Sequence, residues 1–247
     1  MNFIKLSELN KKLSFNHVGI IPYIVEKRED KEFAYALMAV ASGIPTLIDI
    51  GDKIEKDQKI EDVISNTVYN KTYKSLYIPP KEIYKNGWIL YRSNRIVYSK
   101  DKEVEEYIED VQDNLTGIVF MCVDVNLKNL CLKFRENFII AHKKQLKTET
   151  THLLWLPQTK FIYIIRNTTY IDNNGERKEN PSGNVPLDNL LSSIYSIKDD
   201  EIPIELFYNK NAHVPAPISK YPEMEPFLRN FLADAYAEGV DFFFTFT

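Results

Sequence analysis

The stretch from Thr46 to Tyr73 changes periodicity once, and that change restricts the fold more than anything else in the chain. Thr46 to Ile50 reads as a short strand that ends at Gly51. A charged loop follows. From Lys59 to Tyr73 the apolar residues Ile60, Val63, Ile64 and Val68 recur at spacings of three and four, as on one face of a helix. Asp57 stands where an N-cap is expected, and Glu61 and Asp62 suit the positive end of the helix dipole. A strand that turns through glycine into an amphipathic helix needs a sheet for that helix to cover, so the chain reads as α/β.

The remaining pattern supplies that sheet. Val18 to Val25 is an apolar run broken by Pro22, which predicts an edge or bulged strand. Phe33 to Ala41 is a second strand, joined to the first by the polar loop Glu26 to Lys31. Trp88 to Arg92 and Arg95 to Ser99 read as a hairpin about Ser93 and Asn94. Lys102 to Val111 reads as a short acidic helix. Gly117 to Asp124, Asn129 to Phe134, Phe138 to His142, Leu153 to Leu156 and Lys160 to Arg166 read as strands. Thr168 to Asn184 has no apolar period and reads as a mobile loop, and Leu187 to Ile197 reads as a helix. Glu223 to Gly239 carries the strongest helical stripe, Met224, Phe227, Leu228, Phe231, Leu232, Ala235 and Tyr236, with Gly239 as its stop. The expected organisation is one domain over 1–247, with a core at about 16–166 and a C-terminal helical extension at about 186–247.

Composition excludes several classes. Hydrophobic residues make up 44% and charged residues 27%, an ordinary globular balance. The formal net charge of -4 gives no global basic excess of the kind that marks a nucleic-acid binder. Cys122 and Cys131 lie in apolar stretches and read as buried free thiols in a reducing, cytoplasmic setting. The histidines His17, His142, His152 and His213 are scattered and suggest no metal cluster. No run is long enough to span a bilayer, and no membrane role is expected. The Phe242-Phe243-Phe244-Thr245-Phe246 tail reads as a terminal strand or a packing segment.

The sequence Thr46-Leu47-Ile48-Asp49-Ile50-Gly51-Asp52-Lys53-Ile54-Glu55, followed by a loop and a helix, resembles the opening of a Nudix box. Val18-Gly19-Ile20-Ile21-Pro22-Tyr23 is similar to that family's opening strand, and Leu153-Leu154-Trp155-Leu156-Pro157 to its late strand. The resemblance implies an α/β/α sandwich with a mixed sheet. It also implies a helix whose Arg and Glu residues hold Mg²⁺ against a pyrophosphate, where the metal offsets charge and polarises phosphorus. With Asp52 in the place of the second turn glycine, the family's functional positions fall on Gln58, Asn66, Thr67, Asn70, Lys71 and Tyr73. A shift by one residue puts Asp57 in the loop position and Ser65, Asn66, Tyr69 and Asn70 on the helix. Neither register carries a carboxylate on the helix, so the resemblance implies a degenerate member with no catalytic residue, no metal and no cofactor.

What this leaves is a binding site. Lys71 takes the place of a metal-binding Glu and could offset phosphate charge directly, with Lys74 three residues on. Lys53 and Glu55 close the glycine turn. Tyr69, Tyr73, Tyr77, Trp88 and Tyr91 could stack a base, although aromatics also fill cores. Glu149 stands where some family members place a general base. The expected function is recognition, without hydrolysis, of a nucleotide or a capped RNA 5′ end. Two alternatives stand beside it. One is an Mg²⁺-dependent hydrolase or decapping enzyme with ligands relocated to Glu103, Glu105, Glu106 and Glu109. The other is a scaffold that docks a protein partner through its C-terminal helix and Phe-rich tail. The wealth of Lys, Asn, Ile and Tyr is that of AT-rich coding, as in large DNA viruses, for which host cytoplasm or virion would be the location.

Overall fold

The computed structural model describes residues 1–28, 31–41, 46–93, 113–144, 150–166, 169–171, 177–179 and 223–243. The strands are β1 (Asn2–Lys5), β2 (Ser14–Arg28), β3 (Lys31–Ala41), β4 (Thr46–Ile48), β5 (Ile50–Lys53), β6 (Trp88–Ser93), β7 (Asp113–Cys122), β8 (Thr150–Pro157), β9 (Thr169–Ile171), β10 (Arg177–Glu179) and β11 (Glu223–Met224). The helices are α1 (Ile60–Lys71), α2 (Pro80–Asn86), α3 (Leu127–Lys143), α4 (Gln158–Arg166) and α5 (Pro226–Ala237), with a 3₁₀ turn at Leu6–Glu8. A nine-stranded mixed sheet runs β1-β6-β7-β2-β3-β4-β11, with β5 added to β2 and β8 to β3.

β2 is central to this sheet, not an edge strand, and Pro22 explains how. One flank of β2 pairs with β7 over Ser14–Tyr23. The other pairs with β5 over His17–Ile20 and with β3 from Tyr23 onward. The Tyr23 carbonyl accepts from Val123 N–H on the β7 side. Strand neighbours alternate in direction, so Pro22 faces the opposite flank, at the junction where β2 changes partner. Its missing N–H removes no ladder bond there.

Helices cover both faces. On one, Phe161 of α4 packs with Phe242 and Phe243 of the tail, which contact Phe120 and Tyr23. Arg92 of β6 lies 5.5 Å over the Phe231 ring of α5 and bonds Asp234 at 2.6 Å. On the other face α1 packs against β2 and β5, and α2 against β7. This is an α/β fold with a mixed sheet between helical layers. Phe242 and Phe243 are buried in this chain's own core, so that part of the tail packs internally. The exposed aromatics of α5 are Phe227 and Tyr236.

Several expectations need correction. Asn129–Phe134 and Phe138–His142 are not strands but parts of the single helix α3. Its buried residues Leu130, Phe134, Phe138 and Ala141 form a 4-4-3 stripe that two short windows divide. Lys160–Arg166 belongs to α4, with Phe161 and Ile165 buried four apart; its Ile and Tyr residues favour strands only where packing agrees. Thr46–Ile50 is two strands broken at Asp49, because β4 pairs with β3 while β5 pairs with β2. Asp57 is not the N-cap of α1. That place is held by Lys59 without a side-chain bond, and Asp57 lies in a left-handed turn with φ 72°. Cys122, the last residue of β7, is exposed and not buried as expected. The stretch from Thr168 to Asn184 includes the β9–β10 ladder.

α5 begins at Pro226, where Glu225 accepts from the N–H groups of Phe227 and Leu228, and Gly239 adopts φ 85° just past its end. α2, opened by the Pro79-Pro80 pair, and β1 were not legible as elements. Arg95–Ser99, the acidic segment 102–111, residues 187–197, Glu149 and the side chains of Cys131, His142 and His152 lie outside the described residues. No described helix is long and apolar enough to cross a membrane.

Candidate functional site

α1 has two working sides. Ile64 and Val68 are buried against the sheet, and Ser65 Oγ donates to the Ile78 carbonyl at 2.7 Å, fixing the segment that follows the helix. Val63, Asn66, Thr67, Asn70 and Lys71 line an open cleft of about 420 Å³. Asp52 and Lys53 of β5, Gln58 of the loop and Tyr73 complete its walls.

The two sets of positions considered above differ in how many of their residues reach this cleft. Gln58, Asn66, Thr67, Asn70, Lys71 and Tyr73, the set obtained with Asp52 in the glycine position, all line the cleft. In the shifted set Asn66 and Asn70 also line it, Ser65 bonds the Ile78 carbonyl instead, and Asp57 and Tyr69 are not among the lining residues. The cleft therefore presents amides, the hydroxyl-bearing Thr67 and Tyr73 and two lysines, with Asp52 as the one carboxylate among its described lining residues. Among the described residues no three His, Cys, Asp or Glu side chains gather into a metal-holding group.

Lys71 is half-buried, and its Nζ donates to the Gly51 carbonyl at 2.6 Å. That bond fixes the ammonium at the cleft wall and ties α1 to β5. Gln58 Oε1 accepts from the Glu55 N–H at 2.9 Å, which holds the loop between β5 and α1 in a closed turn. Glu55 itself is exposed and does not line the cleft. Lys53 does, and its N–H donates to Asp52 Oδ1 at 2.8 Å.

Tyr73 ends the helix in a conformation that normally asks for glycine. Its φ is 49° and that of Lys74 is 65°. Tyr73 N–H donates to Asn70 O and Lys74 N–H to Tyr69 O, a Schellman-type closure. The Tyr73 hydroxyl donates to the Thr150 carbonyl, and its ring lies 5.4 and 5.5 Å from those of Phe134 and Phe138. These contacts hold the left-handed turn in place and fill one end of the cleft. Lys74 is exposed and lies off the cleft.

The aromatic candidates do not come together. Trp88 packs on Phe3 with Lys5 Nζ 5.9 Å from its ring, while Tyr91 packs on Phe15. Three residues apart on one strand, they point to opposite faces of the sheet and cannot form two sides of one slot. Tyr69 is exposed and meets Tyr77 edge to face at 5.9 Å.

One pair escaped the reading of the sequence. His17 Nε2 lies 3.2 Å from Asp49 Oδ2, with Asp49 only 12% exposed. Gly19 and Gly51 are cross-strand partners, and a Cβ at either would fall 1.6 or 2.3 Å from that oxygen. The absence of two side chains makes the trough in which the carboxylate lies. The signal was two glycines inside apolar strands.

No family model matches the sequence, and no curated protein matches it. Among solved structures, the crystal structure of a C. elegans Ap4A hydrolase binary complex is similar, with 13% identity over 59% of this chain and 82% of that one, and a TM-score of 0.29.

Proposed function

We propose that the cleft beside α1 binds a phosphate-bearing ligand, a nucleotide or the 5′ end of an RNA, and does not hydrolyse it. The observation that supports this is the composition of the cleft. Lys53 and Lys71 outnumber the lone carboxylate Asp52. Asn66, Thr67, Asn70 and Gln58 offer neutral donors to phosphate oxygens. An ammonium held at the wall balances phosphate charge as a fixed point charge. Metal-assisted hydrolysis asks for the reverse, several carboxylates converging on a cation.

The test is calorimetric binding of nucleoside diphosphates, triphosphates and capped RNA, in EDTA and then in Mg²⁺, with product analysis in parallel. The reading expects saturable binding that persists in EDTA, with no phosphate-containing product released in Mg²⁺. Mg²⁺-dependent turnover would replace it with a hydrolase whose ligands come from outside the described cleft, the acidic segment with Glu103, Glu105, Glu106 and Glu109 being the first place to look.

A further inference from the structure

We propose that the ring of Tyr73 is the wall on which the nucleobase of the ligand stacks, with the phosphates running from Lys71 toward Lys53 and Gln58. This deepens the reading above and rests on it. Tyr73 lines the cleft and is the one aromatic side chain among its described lining residues. It stands two residues beyond Lys71, whose ammonium is fixed at the Gly51 carbonyl. The one aliphatic side chain of that lining, Val63, lies ten residues before Tyr73. That separation is roughly 15 Å along the helix axis. The remaining lining side chains each carry a charge or a hydrogen-bonding group, and so answer phosphates and sugar hydroxyls but not the face of a base.

The ring is set in place before any ligand arrives. Phe134 and Phe138 of α3 pack against it at 5.4 and 5.5 Å, and its hydroxyl donates to the Thr150 carbonyl on β8. Stacking on a ring held in this way asks for little further ordering. The backbone at Tyr73 has φ 49°, which glycine adopts without strain and a bulky side chain does not. Strain of this kind gathers at ligand sites, and here it puts an aromatic ring where glycine would leave the cleft end without one. The opposite end is turned to phosphate. Gln58 Oε1 is taken by the Glu55 N–H at 2.9 Å, so its amide offers a ligand the Nε2 donors. Lys53, the last residue of β5, leads into the same loop. A ring at one end and donors at the other give the ligand a single direction in the cleft. A base has a π-face whatever its identity, so the site separates nucleotides from bare phosphates without choosing among bases.

The experiment measures ADP and inorganic pyrophosphate by calorimetry in EDTA, on the full chain and on Tyr73→Phe, Tyr73→Leu and Val63→Ala. The readout is the ratio of the two affinities in each protein. Stacking a base on an aromatic ring is worth about 5- to 150-fold in affinity, and the parent should prefer ADP by a factor in that range. Tyr73→Phe keeps the ring and should keep the preference, while Tyr73→Leu should lose it. A second measurement does not depend on how Tyr73→Leu folds. With ring-labelled tyrosine, nuclear Overhauser contacts from the adenine protons to a tyrosine ring should appear in the ADP complex of the parent and vanish in Tyr73→Phe. A preference that survives in Tyr73→Leu, or tyrosine contacts that persist in Tyr73→Phe, overturns the stacking wall and leaves the phosphate cleft standing. A preference lost in Val63→Ala and kept in Tyr73→Leu puts the base at the other end and overturns it likewise. Failure of both ligands to bind the parent overturns the cleft and the wall together.

Discussion

Gly19→Ala tests the trough beneath Asp49. A Cβ at residue 19 would stand 1.6 Å from Asp49 Oδ2, 2.8 Å from its Cγ and 3.1 Å from Gly51 Cα. The first two contacts cannot exist, so the carboxylate must leave the trough and give up His17. Overpacking of this kind costs about 1–3 kcal/mol. Against that, alanine in a strand interior is worth roughly 0.5–1 kcal/mol over glycine. The net loss in the parent chain is therefore about 0–2.5 kcal/mol, the difference of these two ranges. With Asp49→Ala already in place both impossible contacts vanish and only the tight approach to Gly51 remains. The gain of alanine over glycine is common to both backgrounds, so the coupling between residues 19 and 49 is the overpacking cost itself, about 1–3 kcal/mol. Urea unfolding of the four proteins of the cycle measures it from the midpoints at constant slope. A loss at residue 19 that is the same with and without Asp49 would refute the assignment of the trough to the carboxylate.

Lys71→Glu should weaken ADP binding by at least about tenfold, since it replaces the fixed ammonium by a like charge for phosphate; calorimetry reads the change. Tyr73→Phe keeps the ring against Phe134 and Phe138 but loses the bond to Thr150, for about 0.5–1.5 kcal/mol of stability by urea titration. Lys74→Gly removes a left-handed penalty at φ 65° and should stabilise by up to about 1 kcal/mol, more than Asp57→Gly does, because Asp tolerates that region better than Lys. Desolvation by its neighbours raises the Cys122 thiol above its usual range, with Asp124 adding to the rise and a bond from Val25 opposing it. Its alkylation, followed by peptide mass mapping, should reach half-maximal rate at higher pH in the folded chain than in urea. The sign for stability follows: a raised folded pKa contributes below the unfolded value, and that contribution is lost as pH climbs toward the folded one.

The sequence carried the α/β class and the helix α1, but only part of the cleft beside it: of the residues expected at the site, Lys53, Lys71 and Tyr73 line it. Ile60, Val63, Ile64 and Val68 defined α1 because a helix that covers a sheet repeats its apolar face locally. The residues that line the cleft followed from that helix once its starting point was set. The choice between two registers did not follow, because it depends on whether Ser65 turns to Ile78 or to the cleft, a contact between residues 13 apart. Leu130, Phe134, Phe138 and Ala141 made a legible helical stripe, but the β-favouring residues between them pulled short windows toward strand. Trp88 and Tyr91 were paired by nearness in sequence, though period-two alternation already sends them to opposite faces. His17 and Asp49 could not be joined at all. Their contact exists because two glycines 32 residues apart, Gly19 and Gly51, become cross-strand partners.

β5 contributes two walls to the cleft, yet the described ladder that seats it has four residue pairs, all to β2. Beyond that ladder it is secured by the Ile54–Asn16 backbone bond and by Lys71, whose ammonium grasps Gly51. A short strand fastened in this way opens at lower free energy than the long ladders beside it, so its amides should exchange with solvent ahead of those of β3 and β7. When it swings, Lys53 and Asp52 travel with it and the mouth widens. A guest that draws Lys71 away from Gly51 would thus loosen the clasp that shapes its own lodging, and would have to hold β5 in its stead.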